Sequence, residues 1–163
     1  MNRRRRVMLG AAMLTGLSGC DYFAQKTLKP GESTAEDVRR YMGKPEMIWE
    51  EADGSQTYEY VRGPAGQQTY MVSIGADGKY RSMRNILVPE MFAQVKVGMI
   101  SDDVRRLLGK PTETVFFQLK QEEVWSWRHV GDQQRSKMFN VHFGTDHRVK
   151  STSVSEDERT ING

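Results

Sequence analysis

The same punctuation occurs twice in this chain, 66 to 69 residues apart, and that periodicity limits the fold more than any single motif. The first copy reads Phe23-Ala24-Gln25, then Pro30-Gly31, then Asp37-Val38-Arg39-Arg40-Tyr41-Met42-Gly43-Lys44-Pro45. The second reads Phe92-Ala93-Gln94, then Val97-Gly98, then Asp103-Val104-Arg105-Arg106-Leu107-Leu108-Gly109-Lys110-Pro111. Further along, Gly75-Ala76-Asp77-Gly78-Lys79-Tyr80-Arg81-Ser82 aligns with Gly144-Thr145-Asp146-His147-Arg148-Val149-Lys150-Ser151. Three blocks in one order point to a duplication. The 163 residues therefore divide into two small units.

Each unit predicts the same elements. A short helix carries Phe-Ala-Gln, and a second helix follows the glycine. Thr34 is placed to cap the second helix, with Asp37 three residues on as its capping-box partner, and Ser101 is placed to cap the counterpart. Acids Glu36, Asp37, Asp102 and Asp103 fall in the first turns, where the helix dipole favours negative charge. Val38, Tyr41 and Met42 share a face, as do Val104, Leu107 and Leu108. Gly43 and Gly109 predict left-handed caps, with Pro45 and Pro111 barring continuation. Strands follow: Tyr58 and Tyr60, like Trp125 and Trp127, alternate with polar neighbours, and Tyr70-Val72-Ile74 parallels Phe139-Val141-Phe143. Asp53-Gly54 and Asp77-Gly78 signal hairpin turns. The expected fold is α+β: two tandem repeats, each helix-helix followed by an antiparallel sheet of three or four strands, with helices on one face of each sheet. The repeats span residues 20–87 and 88–154, and the polar segment 155–163 is expected to be a disordered tail.

The segment before the first copy has a different character. Arg3 to Arg6 precede an apolar run from Val7 to Leu14, and Leu17-Ser18-Gly19-Cys20 follows. A basic stretch, a short apolar stretch and small residues predict a signal peptide over residues 1–19. Leu-Ser-Gly-Cys resembles the bacterial lipobox, which implies lipidation of Cys20 and a membrane anchor. Cys20 is the only cysteine, so no disulfide closes within the chain. Removing the leader leaves 20 bases against 21 acids where the whole chain has 24 against 21, so the formal charge goes from +3 to −1. The high pI of about 9.0 belongs to the leader and does not point to nucleic acid as a partner.

A lipobox near residue 20, the two segments Gly31 to Pro45 and Gly98 to Pro111, and aromatic strands after each together resemble the SmpA/OmlA (BamE-like) bacterial lipoproteins. The resemblance covers residues 23 to 154. It implies a non-catalytic envelope lipoprotein that scaffolds or assists assembly of outer-membrane proteins, with the outer-membrane β-barrel assembly machinery as protein partner. The two-copy layout is also similar to the β-lactamase inhibitory proteins. That implies an alternative, a tandem-domain inhibitor or binding partner of an envelope enzyme. The family resemblance implies the outer membrane. Asp21, directly after Cys20, instead resembles an inner-membrane retention signal, so both membranes stay open.

Catalytic chemistry finds little purchase in these residues. No nucleophile elbow, phosphate loop or dinucleotide fingerprint occurs. The three histidines, His129, His142 and His147, lie in the second copy without cysteines or acids at metal-ligand spacing, so neither a metal nor another cofactor is expected. Glu50-Glu51 and Glu122-Glu123 are strand neighbours facing opposite ways, poorly suited to acid–base work. Aromatic residues are the better candidates. Trp125 and Trp127 share a face and belong beneath the helices. Phe116 and Phe117 cannot both face inward on a regular strand, so one is expected at the surface as a partner anchor, with Trp49 in a similar role in the first copy.

Overall fold

A computed structural model of the chain describes residue 24 and residues 26–158. The expected signal peptide, Cys20 and Phe23 lie outside the described residues, as do residues 159–163. In chain order the elements are α1 (Ala35–Met42), β1 (Met47–Glu50), β2 (Gln56–Arg62), β3 (Gln68–Ile74), β4 (Tyr80–Asn85), α2 (Pro89–Phe92), α3 (Ser101–Leu108), β5 (Glu113–Phe117), β6 (Glu122–Val130), β7 (Ser136–Phe143) and β8 (Val149–Glu156). The strands form two antiparallel four-stranded sheets, ordered β1-β2-β3-β4 and β5-β6-β7-β8. Their registers correspond residue for residue. Glu59 sits opposite Met47 and Met71, as Ser126 sits opposite Glu113 and Asn140. Met71 sits opposite Arg84, as Asn140 does opposite Ser153. Each last hairpin carries a register shift at the same place, Ser73/Ile74 and His142/Phe143. Two copies of one backbone plan account for this agreement.

Capping differs between the copies. At α1 the Thr34 hydroxyl accepts from the Asp37 N–H at 3.1 Å, and the Asp37 carboxylate accepts from the Thr34 N–H at 2.8 Å. These two bonds complete a capping box, and the hydrogen bonds that the carboxylate accepts from the Thr34 N–H and hydroxyl hold the Asp37 carboxyl below its usual range. At α3 the cap position is Ile100, which offers no side-chain acceptor. Ser101, expected to cap, is instead the first helical residue. Its N–H donates to His147 O at 3.0 Å, as Ala35 N–H donates to Gly78 O at 3.0 Å. In both repeats the tip of the last hairpin satisfies the first orphan helix donor, and at α3 the Asp103 N–H, which a capping hydroxyl would take, donates to Ile100 O at 3.1 Å.

Helix termination follows the expected residues in a different conformation. Gly43 has φ 75°, ψ −159° and Gly109 has φ 70°, ψ −166°. These are not left-handed helical angles. They lie in the extended positive-φ region that is essentially reserved for glycine. Both residues donate their N–H to the arginine four positions back, Arg39 O and Arg105 O. An aromatic from the second strand then takes the glycine carbonyl: Tyr60 Oη donates to Gly43 O at 3.1 Å, and Trp127 Nε1 donates to Gly109 O at 3.0 Å. One tyrosine and one tryptophan thus fill the same structural office.

Packing is where the copies fuse. The first core gathers Val38 and Met42 of α1 with Tyr58, Tyr60, Tyr70, Val72 and Ile74 of one sheet face, closed by Ala24, Leu28 and Tyr80. The second gathers Val104 and Leu108 of α3 and Phe92 of α2 with Trp127, Phe139, Val141 and Phe143. Met71, from the opposite face of the first sheet, belongs to that second core. Helix α3 therefore lies between the two sheets. The layers run α1, first sheet, α3, second sheet, and the first sheet is covered on both faces rather than on one. Three consecutive buried residues, Tyr58, Glu59 and Tyr60, are its mark in β2.

The C-terminal segment also departs from expectation. Strand β8 includes Ser155 and Glu156, and Asp157 is buried. Its carboxylate accepts from Arg128 Nε at 2.6 Å and from Ser136 Oγ at 2.8 Å. A buried guanidinium needs a counter-charge, and that need orders residues whose composition reads as tail.

The two glycines give a paired prediction. A Cβ at Gly43 would meet nothing within 4 Å, whereas one at Gly109 would lie 2.9 Å from Thr69 Cγ2 and 3.0 Å from Glu59 Oε1. Gly43→Ala is expected to cost about 1–2 kcal/mol from the backbone alone. Gly109→Ala is expected to lower the urea midpoint further, because it also wedges α3 off the first sheet.

Candidate functional site

Glu59 is fully buried, and a carboxylate out of water requires charged or hydrogen-bonding partners. It finds them across the repeat boundary. Its Oε2 accepts from Arg105 Nη1 at 2.8 Å, and its Oε1 accepts from the Lys110 N–H at 2.7 Å. Around this contact Arg106 Nη2 meets Glu51 Oε2 at 2.7 Å, and Lys110 Nζ pairs with Glu46, whose carboxyl that bond holds below its usual range. The guanidinium groups of Arg105 and Arg106 lie 5.3 and 5.0 Å from the Trp49 ring centre. Arg128 Nη1 reaches back to Ala65 O at 2.7 Å. The pattern is a seam: three carboxylates and one indole of the first sheet hold the basic side of α3 and the turn after it. Glu51, read from the sequence as a solvated edge, is part of it.

The three aromatics singled out in the sequence separate in space. Trp49 lies in the seam, half-buried beneath two arginines, with its indole N–H buried and unpartnered among the described residues. Phe116 and Phe117 lie together on β5, an edge strand whose five residues are all exposed. Only one of the two was expected outside. Both are, at 53% and 47% exposure, because neither side of β5 is covered by a described element. Val115 beside them and Leu119 at the hairpin tip are also exposed. Val115 and Phe117 lie on one side of the strand and Phe116 on the other, an exposure of large apolar residues typical of a contact surface.

The histidines do not converge. His129 is buried edge-on against Phe92, 4.8 Å between ring centres, and burial pushes its imidazole down from the ordinary value. It borders an open groove of about 530 Å³ lined by Pro89, Phe92, Phe139 and Val154. His142 lies between Glu122 Oε2 at 3.6 Å and Ser153 Oγ at 3.1 Å. His147 sits at φ 57° in the turn where the first repeat has Gly78. Among the described residues no group of three or more His, Cys, Asp or Glu is placed to hold a metal ion. No described helix is long and apolar enough to cross a membrane.

A tandem α+β protein with an internal seam and an exposed apolar edge strand is the class that fold and surface define. Residues 84–153 match the family model of the outer membrane protein assembly factor BamE domain. The match covers the second repeat, less than half of the chain, and that repeat is similar to this domain. No curated protein matches the sequence. Among solved structures the chain is similar to YjgB, a DUF4309 family protein from Bacillus subtilis, with TM-score 0.31 and 19% identity over 81% of this chain and 84% of that one. It is also similar to a protein from Streptococcus mutans described as a beta-lactamase inhibitor, with TM-score 0.35 and 14% identity over 85% and 96%. A third is an extracellular protein containing an SCP domain from Bacillus anthracis, with TM-score 0.30 and 12% identity over 99% and 51%.

The seam was invisible in the sequence because Glu59 alternates with tyrosines and so reads as the solvent side of β2. The signal that was present is Met71, an apolar residue at a position that alternation assigns to water. Glu59→Ala is expected to destabilise the protein by about 3–5 kcal/mol, since Arg105 keeps a buried charge without its partner. Glu50→Ala, outside the seam, is expected to change stability by less than ~1 kcal/mol. Chemical denaturation of both variants makes the comparison.

Proposed function

We propose that this chain is a non-catalytic envelope lipoprotein that acts as a scaffold or assembly factor for outer-membrane proteins. The match of its second repeat to the BamE assembly-factor domain is the observation that carries this reading. In it, residues 1–19 are a signal peptide, Cys20 carries the lipid, and repeats 20–87 and 88–154, each opening helix-helix, face the periplasm from the outer membrane. The partner is a protein of the β-barrel assembly machinery. Phe116 and Phe117 supply the contact surface, extended by Val115 and Leu119, and exposed apolar residues on an edge strand support that role. Trp49 serves the seam first and offers a partner only its exposed edge.

Purification of the full chain from detergent-solubilised envelopes tests the proposal. Wild type is expected to bring down barrel-assembly subunits. Phe116→Ser/Phe117→Ser is expected to lose them at least ~10-fold while keeping its melting temperature, as truncating a central aromatic anchor costs about 2 kcal/mol or more. Cys20→Ser is expected to abolish palmitate labelling. Recovery of a stoichiometric envelope enzyme in place of assembly subunits would favour the tandem-domain inhibitor instead.

A further inference from the structure

The duplication provides an internal template for what a sheet face of this kind receives. In the first repeat the face away from α1 is where α3 docks. The residues that meet α3 and its following turn are Trp49, Glu51, Thr57, Glu59, Thr69 and Met71. Strand pairing assigns each a counterpart on the second sheet: Val115, Phe117, Val124, Ser126, Met138 and Asn140. In this chain no described helix covers that second face.

Its chemistry has been rewritten. Glu51 and Glu59, which bind the arginines of α3, become Phe117 and Ser126, and Glu46 becomes Thr112. Val115 and Phe117 are exposed, while Val124 and Met138 form an apolar floor. Beside them runs a neutral polar ladder: Ser126 Oγ donates to Asn140 Oδ1 at 2.7 Å, and Asn140 Nδ2 donates to Ser155 Oγ at 3.1 Å. Charged and titratable groups gather toward the ends of the face, with the Arg128–Asp157 pair, Glu113 and Glu158 at one and Glu122, Lys150 and His142 at the other.

We propose that the outer face of the second sheet docks an amphipathic α-helix of another protein, one whose contact stripe is apolar and uncharged. This deepens the reading of Phe117 as a partner contact and rests on it. A second copy of this chain is the wrong occupant on charge grounds. Its α1 carries Arg39, Arg40 and Lys44 at the positions of Arg105, Arg106 and Lys110, and on this face the three seam carboxylates are replaced by Ser126, Phe117 and Thr112, leaving Glu113, opposite Ser126, as the one carboxylate beside them. Bringing three cations out of water onto one neighbouring carboxylate is unfavourable. An uncharged stripe buries the exposed Val115 and Phe117 against the floor of Val124 and Met138 and leaves the serine–asparagine ladder to hydrogen-bond at its margin.

Site-specific photocrosslinking of the full lipidated chain in its own envelope tests this. Benzoylphenylalanine is placed singly at Val115, Phe117 and Ser153 on the outer face, and at Thr152 and Val154 on the opposite side of the far edge strand, away from Phe116, and the crosslinked residues of the partner are mapped. The expected result is that the three outer positions label one partner segment at helical spacing, i, i+3 or i+4, and i+7, and the opposite positions do not. Phe117→Glu, which restores the charge of Glu51 at an exposed site, is expected to reduce the Ser153 crosslink at least ~10-fold. Products with a second copy of this chain, products scattered over an extended segment, or no product from any outer position would each overturn the proposal. Helical labelling on a soluble enzyme would sustain it while sinking the assembly-factor reading. Recovery of assembly subunits crosslinked only elsewhere would do the reverse.

Discussion

A carboxylate that no water reaches sets the terms for this molecule. Glu59 is held by Arg105 and by the Lys110 amide, both from the other repeat, so the two halves are joined by a contact that neither can satisfy alone. Gly109 must be glycine for two reasons that meet at this point: its backbone angles, and the 3.0 Å that a Cβ would leave to Glu59. Met71 joins the second core from the first sheet for the same reason of proximity. A neutral, apolar seam of equal area would suffice for adhesion. The charged one fixes register, because only one seating of α3 brings Arg105, Arg106 and Lys110 onto Glu59, Glu51 and Glu46 together.

Duplication supplied two equal backbones and substitution gave them unequal duties. The first sheet receives a helix on each face and becomes interior. The second receives a helix on one face, and no described helix covers the other, beside the exposed β5. The residue exchanges follow that division. The first-repeat carboxylates that catch two arginines and a lysine are a phenylalanine, a serine and a threonine in the second. Apolar groups at an edge strand invite unwanted association, so their concentration at Val115, Phe116, Phe117 and Leu119 is economical only if something covers them in the cell.

Local signals were legible wherever local chemistry decides. Thr34 and Asp37 form the expected capping box, Gly54 and Gly78 take the positive φ of their turns, and the aromatic pairs of β2 and β6 lie beneath the helices. What could not be read depends on contacts distant in sequence. Ser101 is not a cap because the His147 carbonyl already takes its N–H. Glu59 is buried because a helix more than forty residues later covers it. Asp157 is ordered because Arg128 needs it. Alternation identifies the two faces of a strand, but it cannot say how many of those faces are covered. The exposure of both Phe116 and Phe117 has the same origin: no described element covers either side of β5, and the strand's own residues do not encode that.

If the seam governs the fold, the two repeats unfold as one. Differential scanning calorimetry of the soluble chain lacking residues 1–20 measures this most directly. The account predicts a single transition whose van't Hoff enthalpy equals the calorimetric enthalpy, a ratio of about one. Two resolved transitions, or a van't Hoff enthalpy near half the calorimetric value, would mean that the repeats are independent and that Glu59 joins nothing of consequence.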